Sequence, residues 1–379
     1  MILRNLRDEI DNIDVKIVDL FTERMKISKE IAEEKKGSGT PILNSKREKE
    51  ILEKVSERAG DTLDRYTRIL YNTIFDVSRS YQTRFVHTES LLKDEIEKAI
   101  SNTPDIFPKK AVVACQGVTG SYSQLAAEKI FDFPSIMYFN NFESVFNAVD
   151  KGLCQYGILP IENSSYGSVG PVYDLMKNHH FYITRSYKLR IAHKLLAKPG
   201  VKLEDIKEIV SHEQALGQCA KFIEEQKNIK ITVCENTAMA AEMVSKSQCS
   251  DIAAISSREC AELYDLNVIA EDIQLSDNNY TRFICISKNL ELYPGANKLS
   301  LMLSLPHRPM SLYNMIAKFS TLGLNLTKLE SRPIPGSDFE FMFYFDMEAS
   351  LCSPEVVSLL SELSLQSELF VFLGNYIEN

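Results

Sequence analysis

Over residues 1–92 the apolar positions fall at helical spacing and give essentially no strand signal. Leu3, Leu6, Ile10, Ile13, Ile17, Leu20 and Phe21 recur at steps of three and four, which lines one stripe of a long helix. That helix can run to Lys36, where Gly37-Ser38-Gly39 ends it. Asn44 or Ser45 caps a second helix reaching Arg58, and a third covers roughly Leu63 to Leu92. The stripe of the first helix outruns its partners, so the pattern predicts dimerisation. Residues 93–110, rich in lysine and glutamate and carrying Pro104 and Pro108, read as a linker.

From Ala111 to about Asn289 the pattern switches to short apolar strands alternating with amphipathic helices. Ala111 to Cys115, Tyr156 to Pro160, Ile209-Val210 and Ala253 to Ile255 are the strand signals, and they predict an α/β domain over 111–289. That length allows two lobes with a cleft between them. Residues 298–379 alternate cleanly: Leu299, Leu301, Leu303 and Leu305 form one strand face, and Phe339, Phe341, Phe343 and Phe345 another. With helices from Pro309 to Leu322 and from Pro354 to Leu363, the order strand–helix–strand–strand–helix–strand predicts a small split βαβ sandwich.

Composition narrows the function. The hydrophobic content of 44% and charged content of 25% are those of a soluble globular protein, and 379 residues imply two or three domains. A net charge of -9 argues against a nucleic acid or an anionic membrane as partner, so an anionic substrate needs local Arg and Lys clusters. The eight cysteines include no pair at C-x-x-C spacing, and His179-His180 has no zinc-like neighbours, so no metal site is expected. A charged, amphipathic N-terminus and the absence of a long apolar run point to a reducing, cytoplasmic compartment.

The helical region carries a set of polar groups suited to a small dianion. Arg24 and Lys35 are eleven residues apart, about 20° of rotation and roughly 16 Å on one helix face. Arg7 lies roughly 25 Å from Arg24 and on another face, so it reaches the same ligand only from a second subunit. Ser78 and Gln82 share a face of the third helix, and Asn44, Arg47 and Glu48 open the second. Ser45-x-x-Glu48 is also a capping-box pattern, and Asn44 either caps the helix or bonds a substrate hydroxyl. This arrangement resembles the all-helical chorismate mutases over about residues 3–92. The resemblance implies an intertwined dimer and a cofactor-free rearrangement of chorismate to prephenate, which needs only a compact conformer and charge stabilisation at the ether oxygen. By that resemblance Lys35 and Gln82 serve the ether oxygen, and Arg7, Arg24 and Arg47 the carboxylates.

In the central region Thr281-Arg282-Phe283 sets a hydroxyl beside a cation just before an apolar strand. Four motifs accompany it: Gly117 to Gln124, a glycine turn into a helix start; Pro160 to Ser168, a strand end with a polar loop; Ser211 to Cys219; and Asn236 to Ala241, a capped helix start. Gly117 to Gln124 lacks the Gly-Lys-Ser/Thr of a nucleotide loop. Polar residues at successive strand ends converge on one crevice in an open α/β sheet. His212 is read as structural. Together the motifs resemble prephenate dehydratase over 111–287, which implies a two-lobed fold like a periplasmic binding protein. The residues matching its site are Glu162, Asn163, Gln218 and Thr281. Thr281 is then expected to donate to the leaving hydroxyl of prephenate, and Arg282 to anchor a carboxylate.

Leu329 to Pro333 resembles the signature of the ACT domain of phenylalanine-regulated dehydratases, a ferredoxin-like βαββαβ unit. Asn325, Leu326, Glu330 and Ser331 match its ligand-shell positions, which implies phenylalanine as effector. Relatives carry Pro-Gly-Ala-Leu where this chain has Pro309-Met310-Ser311-Leu312. The expectation is a bifunctional, feedback-inhibited homodimer or higher homo-oligomer that takes chorismate through prephenate to phenylpyruvate. The alternatives are a dehydratase whose helices only dimerise, and a non-catalytic sensor of aromatic metabolites.

Overall fold

The computed structural model describes residues 2–38, 42, 44–83, 85, 90–226, 228–276, 278–307, 309–334 and 340–379. They form two compact units, residues 1–98 with 301–372 and residues 99–300 with 373–379. No described helix is long and apolar enough to cross a membrane.

Helix α1 (Ile2–Ser38) is unbroken, as expected of a sequence free of Gly and Pro before Gly37. Its stripe stays uncovered within one chain: Leu6, Ile10, Ile13 and Ile17 are 49–57% exposed. Helix α2 (Ser45–Thr83) is interrupted at Gly60, whose φ of 70° and ψ of 167° suit only glycine. The expected boundary between second and third helices falls at that break. The third helix stops at Thr83 and does not continue to Leu92, which belongs to a separate helix; the capping role of the Ser45 side chain and the position of Phe339 lie outside the described residues. Helix α3 (Leu91–Asn102) occupies much of the stretch expected to be a linker, because Ile96 and Ala99 fall at helical spacing and are buried.

The second unit alternates strands and helices. In chain order these are β1 (Lys110–Gln116), α4 (Tyr122–Ile130), β2 (Phe133–Phe139), α5 (Phe142–Asp150), β3 (Tyr156–Asn163), β4 (Gly167–Ser168), α6 (Gly170–Met176) and β5 (Tyr182–Arg190). There follow β6 (Lys194–Ala197), β7 (Glu208–Ser211), α7 (Glu213–Gln218), α8 (Ala220–Glu225), β8 (Lys230–Val233), α9 (Thr237–Lys246), β9 (Ile252–Ser256), α10 (Arg258–Leu263), β10 (Asn267–Ala270) and β11 (Tyr280–Ser287). One sheet runs β5-β11-β3-β1-β2, and a second runs β10-β6-β9-β7-β8. Each has its own core: Val113, Ile158 and Phe283 in the first, Leu195, Ile209 and Ile255 in the second. Strands β1, β3, β7 and β9 coincide with the apolar runs of the sequence, whose residues are covered on both faces.

The C-terminal segment follows the predicted order: β12 (Lys298–Ser304), α11 (Ser311–Thr321), β13 (Asn325–Pro333), β14 (Phe341–Glu348), α12 (Pro354–Gln366) and β15 (Phe370–Glu378). Its strands are ordered β13-β14-β12-β15, which leaves β13 at an edge. Helices α11 and α12 lie against α2. The residues Ile377 and Glu378 of β15 pair in parallel with Arg185 and Ser186 of β5.

Candidate active sites

A cavity of about 510 Å³ is lined from both sheets of the second unit: Asn163, Thr281 and Phe283 from the first, His193, Gln218 and Asn236 from the second. Asn163 ends β3 opposite Thr281 of β11. Its Oδ1 accepts from the backbone N–H groups of Ser165 (2.9 Å) and Tyr166 (3.0 Å), so its orientation is fixed by donors that have no alternative role. Nδ2 therefore faces Thr281 Oγ1 at 2.9 Å and Asn279 Oδ1 at 2.9 Å, and donates to them. Since Thr281 accepts there, its own hydroxyl proton is left to donate elsewhere.

The same logic passes down the line. Asn279 accepts on Oδ1, so its Nδ2 donates to Gln218 Oε1 at 3.0 Å. Gln218 Oε1 also lies 2.5 Å from His193 Nε2, which must then carry the imidazole proton. Burial lowers the His193 pKa, against the hydrogen bond to Gln218, and keeps the ring neutral. Sequence reasoning missed His193 and did not assign Asn279 a role, because both act through neighbours distant in the chain. His212 caps α7 through its Nδ1, in keeping with a structural part.

Helix α4 begins at Ser121, whose side chain caps Gln124 N, and α9 begins at Asn236, which caps Met239 N. Ser121, Tyr122, Asn236 and Thr237 line the cavity, so the positive ends of two helices open on it. Among the described residues no Lys or Arg does so. Gly120 is required at this turn: its φ is 88° and a Cβ would meet Cys260 Sγ at 2.8 Å.

Arg282 and Glu162 lie apart from the cavity. Successive strand residues face opposite sides of a sheet, so Thr281 in the cavity sends Arg282 behind it. There it is 6% exposed, 3.7 Å from Glu162 Oε2 and 3.3 Å from Glu378 Oε2. Glu162 pairs with Arg282 across the strands and lies behind the sheet too. Neither residue lines the cavity.

In the helical region Arg24 Nη1 donates to Ser78 Oγ, which ties α1 to α2, and the guanidinium lies 5.8 Å from the Phe75 ring centre. Lys35 Nζ donates to Ile42 O at 2.6 Å. Burial lowers the pKa of both cations, with Glu48 opposing in each case. Gln82 is 9% exposed, and its buried Oε1 has no hydrogen-bond partner. Glu48 is held by Arg79, which also grips Asp76, a buried ion cluster the sequence did not reveal. Asn44 caps α2 by accepting from Arg47 N at 3.0 Å, while Arg47 is exposed and pairs with Glu50. Arg7 is exposed near the start of α1, away from Arg24 along one straight helix.

Asn325, Leu326, Glu330 and Ser331 occur along edge strand β13. None of them lines the cavity of about 1130 Å³ in the first unit, which Glu48, Arg79, Met310, Ser311 and Lys318 help to form. Met310 has φ 72° and ψ -3°, a left-handed conformation that glycine adopts without strain.

Comparison with known proteins assigns both regions to families. The family Chorismate mutase type II matches residues 6–83, and the family Prephenate dehydratase matches residues 113–291. The two matched families define a two-module enzyme, a helical mutase followed by an α/β dehydratase. A bifunctional chorismate mutase/prephenate dehydratase of Aquifex aeolicus is 31% identical over 99% of this chain and 97% of its own length. Arogenate dehydratase/prephenate dehydratase 2 of Arabidopsis thaliana is 33% identical over 79% of this chain and 80% of its own. A prephenate dehydratase from Arthrobacter aurescens, solved in complex with L-Phe, superposes with a TM-score of 0.65 at 29% identity, covering 70% of this chain and 89% of that one. The chain belongs to the bifunctional chorismate mutase/prephenate dehydratase family. It rearranges chorismate to prephenate and converts prephenate to phenylpyruvate.

Proposed function

We propose that prephenate is dehydrated in the 510 Å³ cavity with Thr281 as donor to the departing hydroxyl. The hydrogen bond from Asn163 Nδ2 to Thr281 Oγ1 carries this reading, because it frees the threonine proton for the substrate. Prephenate loses CO2 and hydroxide together, and aromatisation of the ring drives the step. A threonine is too weak an acid to give up its proton fully, so it stabilises the leaving oxygen by hydrogen bonding. The helix starts at α4 and α9 hold the substrate carboxylates, since the cavity has no lining cation among the described residues. Gln218 offers its amide N–H groups, both of its oxygen contacts being with protein donors.

In the mutase, Lys35 and Gln82 serve the ether oxygen, and Arg24 holds a carboxylate. Arg7 comes from a second copy in an intertwined dimer, for which the uncovered stripe of α1 is the support. The C-terminal segment is an ACT domain. Phenylalanine binds where two β13 edges meet, at Asn325, Leu326, Glu330 and Ser331, and inhibits the enzyme. The described free cysteines, eight in number, suit a cytoplasmic setting.

A coupled assay tests the assignment: chorismate loss, then phenylpyruvate formation. Thr281→Ala should lower dehydratase kcat by about 10²–10³ while leaving mutase turnover intact. Normal phenylpyruvate formation by that variant would refute the role of Thr281.

A further inference from the structure

The face of β11 behind Thr281 carries a partly buried ion cluster with no part in the proposed chemistry. Glu378 stands at its centre, 12% exposed, with Lys188 Nζ at 2.9 Å, Lys298 Nζ at 3.2 Å and Arg282 Nη1 at 3.3 Å. Ser186 Oγ adds a hydrogen bond at 3.3 Å. Three cations thus converge on one carboxylate, and Glu162, at 3.7 Å from Arg282, is the second anion.

The geometry points to Glu378 as a positioning residue for the dehydratase: by gripping Arg282 it fixes the adjacent Thr281 at the angle the departing hydroxyl requires. The inference rests on the proposed role of Thr281. Three observations carry it. Ser186 and Lys188 of β5 and Arg282 of β11 lie on one face in register, so Glu378 bridges the two strands that hold Thr281 from behind. The pairing of β11 with β3 shifts register between Arg282 and Phe283, and such an irregularity re-aims side chains next to a site unless something pins it. Strand β15 is also built to lie close: Gly374 has φ 135°, and a Cβ there would meet Ile183 O at 2.4 Å.

The carboxyl is correspondingly acidic. Burial opposes its ionisation, but the Lys188 hydrogen bond and the charges of Arg282, Lys298 and Lys188 outweigh it and hold the group at about 2. Without Glu378, the carboxylate on which Arg282, Lys188 and Lys298 converge is gone, and the strand bearing Thr281 loses that anchor.

The test uses the full chain and a double-mutant cycle of Glu378→Gln and Arg282→Gln, with Glu378→Asp as the conservative variant. Expected are a loss of about tenfold in dehydratase kcat for each single variant, the worth of the misaligned hydrogen bond from the Thr281 hydroxyl, with KM for prephenate changed less than twofold. The double variant should be no worse than either single, Glu378→Asp should recover part of kcat, and mutase turnover should not change. Wild-type kcat in Glu378→Gln, or additive losses in the double variant, would overturn the proposal. So would a rise in KM for Arg282→Gln alone, which would return Arg282 to the substrate. A Thr281→Ala enzyme that still turns over prephenate normally would instead remove the reading beneath it. If Glu378→Gln fails to fold, the kcat-against-KM pattern of Arg282→Gln and Glu378→Asp decides.

Discussion

Replacing Asn163 by aspartate is a nearly isosteric change that interrogates the direction of every hydrogen bond in the cleft. The backbone donors Ser165 N and Tyr166 N would still serve one carboxylate oxygen, as they now serve Oδ1. The other oxygen would face Thr281 Oγ1, Asn279 Oδ1 and Tyr280 O, which now lie at 2.9, 2.9 and 3.2 Å from Nδ2. All three are acceptors toward Nδ2, so a carboxylate is repelled unless a proton moves. The cheapest response is rotation of the Thr281 hydroxyl, which then donates to the aspartate and withdraws from the cleft. If that proton is the one offered to the leaving group, Asn163→Asp removes a transition-state donor, at about 2.7–4 kcal/mol or 10²–10³ in kcat. If Asn163 only steadies Thr281, the loss is that of a neutral hydrogen bond, about 0.5–1.5 kcal/mol and no more than roughly tenfold. Steady-state phenylpyruvate formation separates the two. The pH profile adds a sign. Burial and neighbouring acceptors raise the pKa of the introduced carboxyl, and only its protonated form can donate to Thr281. Activity of the variant should therefore climb as pH falls through that pKa, while wild type shows no matching rise. A kcat within threefold of wild type, or a full further loss on adding Thr281→Ala, would refute the reasoning.

Two further outcomes test the first unit. Ile13→Asp sets a charge in the α1 stripe, where Ile13 is 53% exposed in the single chain. It should open the α1 interface and abolish mutase turnover while dehydratase kcat stays within twofold, since burying an unpaired charge at an interface costs several kcal/mol. Met310→Gly removes a left-handed strain of about 1–2 kcal/mol, less about 0.5–1 for glycine's freedom when unfolded. Thermal unfolding should show a small rise in Tm, and a clear fall would mean that packing of the methionine outweighs its strain.

The helices, the α/β alternation and the βαββαβ order were legible because each rests on a short-range period. Asn163, Gln218 and Thr281 were legible as motif residues, and they do meet in one cavity. The direction of Arg282 was in the sequence too, since a Thr and an Arg in succession on a strand cannot face the same side. The attraction of a cation beside a hydroxyl obscured it. Glu378 was hidden for a different reason: it lies 96 residues from Arg282, and no periodicity spans that distance. His193 gave no local signal, as its tautomer is set by Gln218, itself set by Asn279. Helix α3 was masked by its charge content, which outweighed two buried positions.

A row of amides is symmetrical in composition and can run in either sense, like a line of compass needles. In this cleft the sense is imposed at one end, by two main-chain N–H groups of the loop after β3. The polarity of the whole row, down to the protonated nitrogen of His193, is thus inherited from loop backbone and not from the side chains that display it. Any change that alters the path of residues 164–166 can reverse the row while every polar side chain in it stays in place.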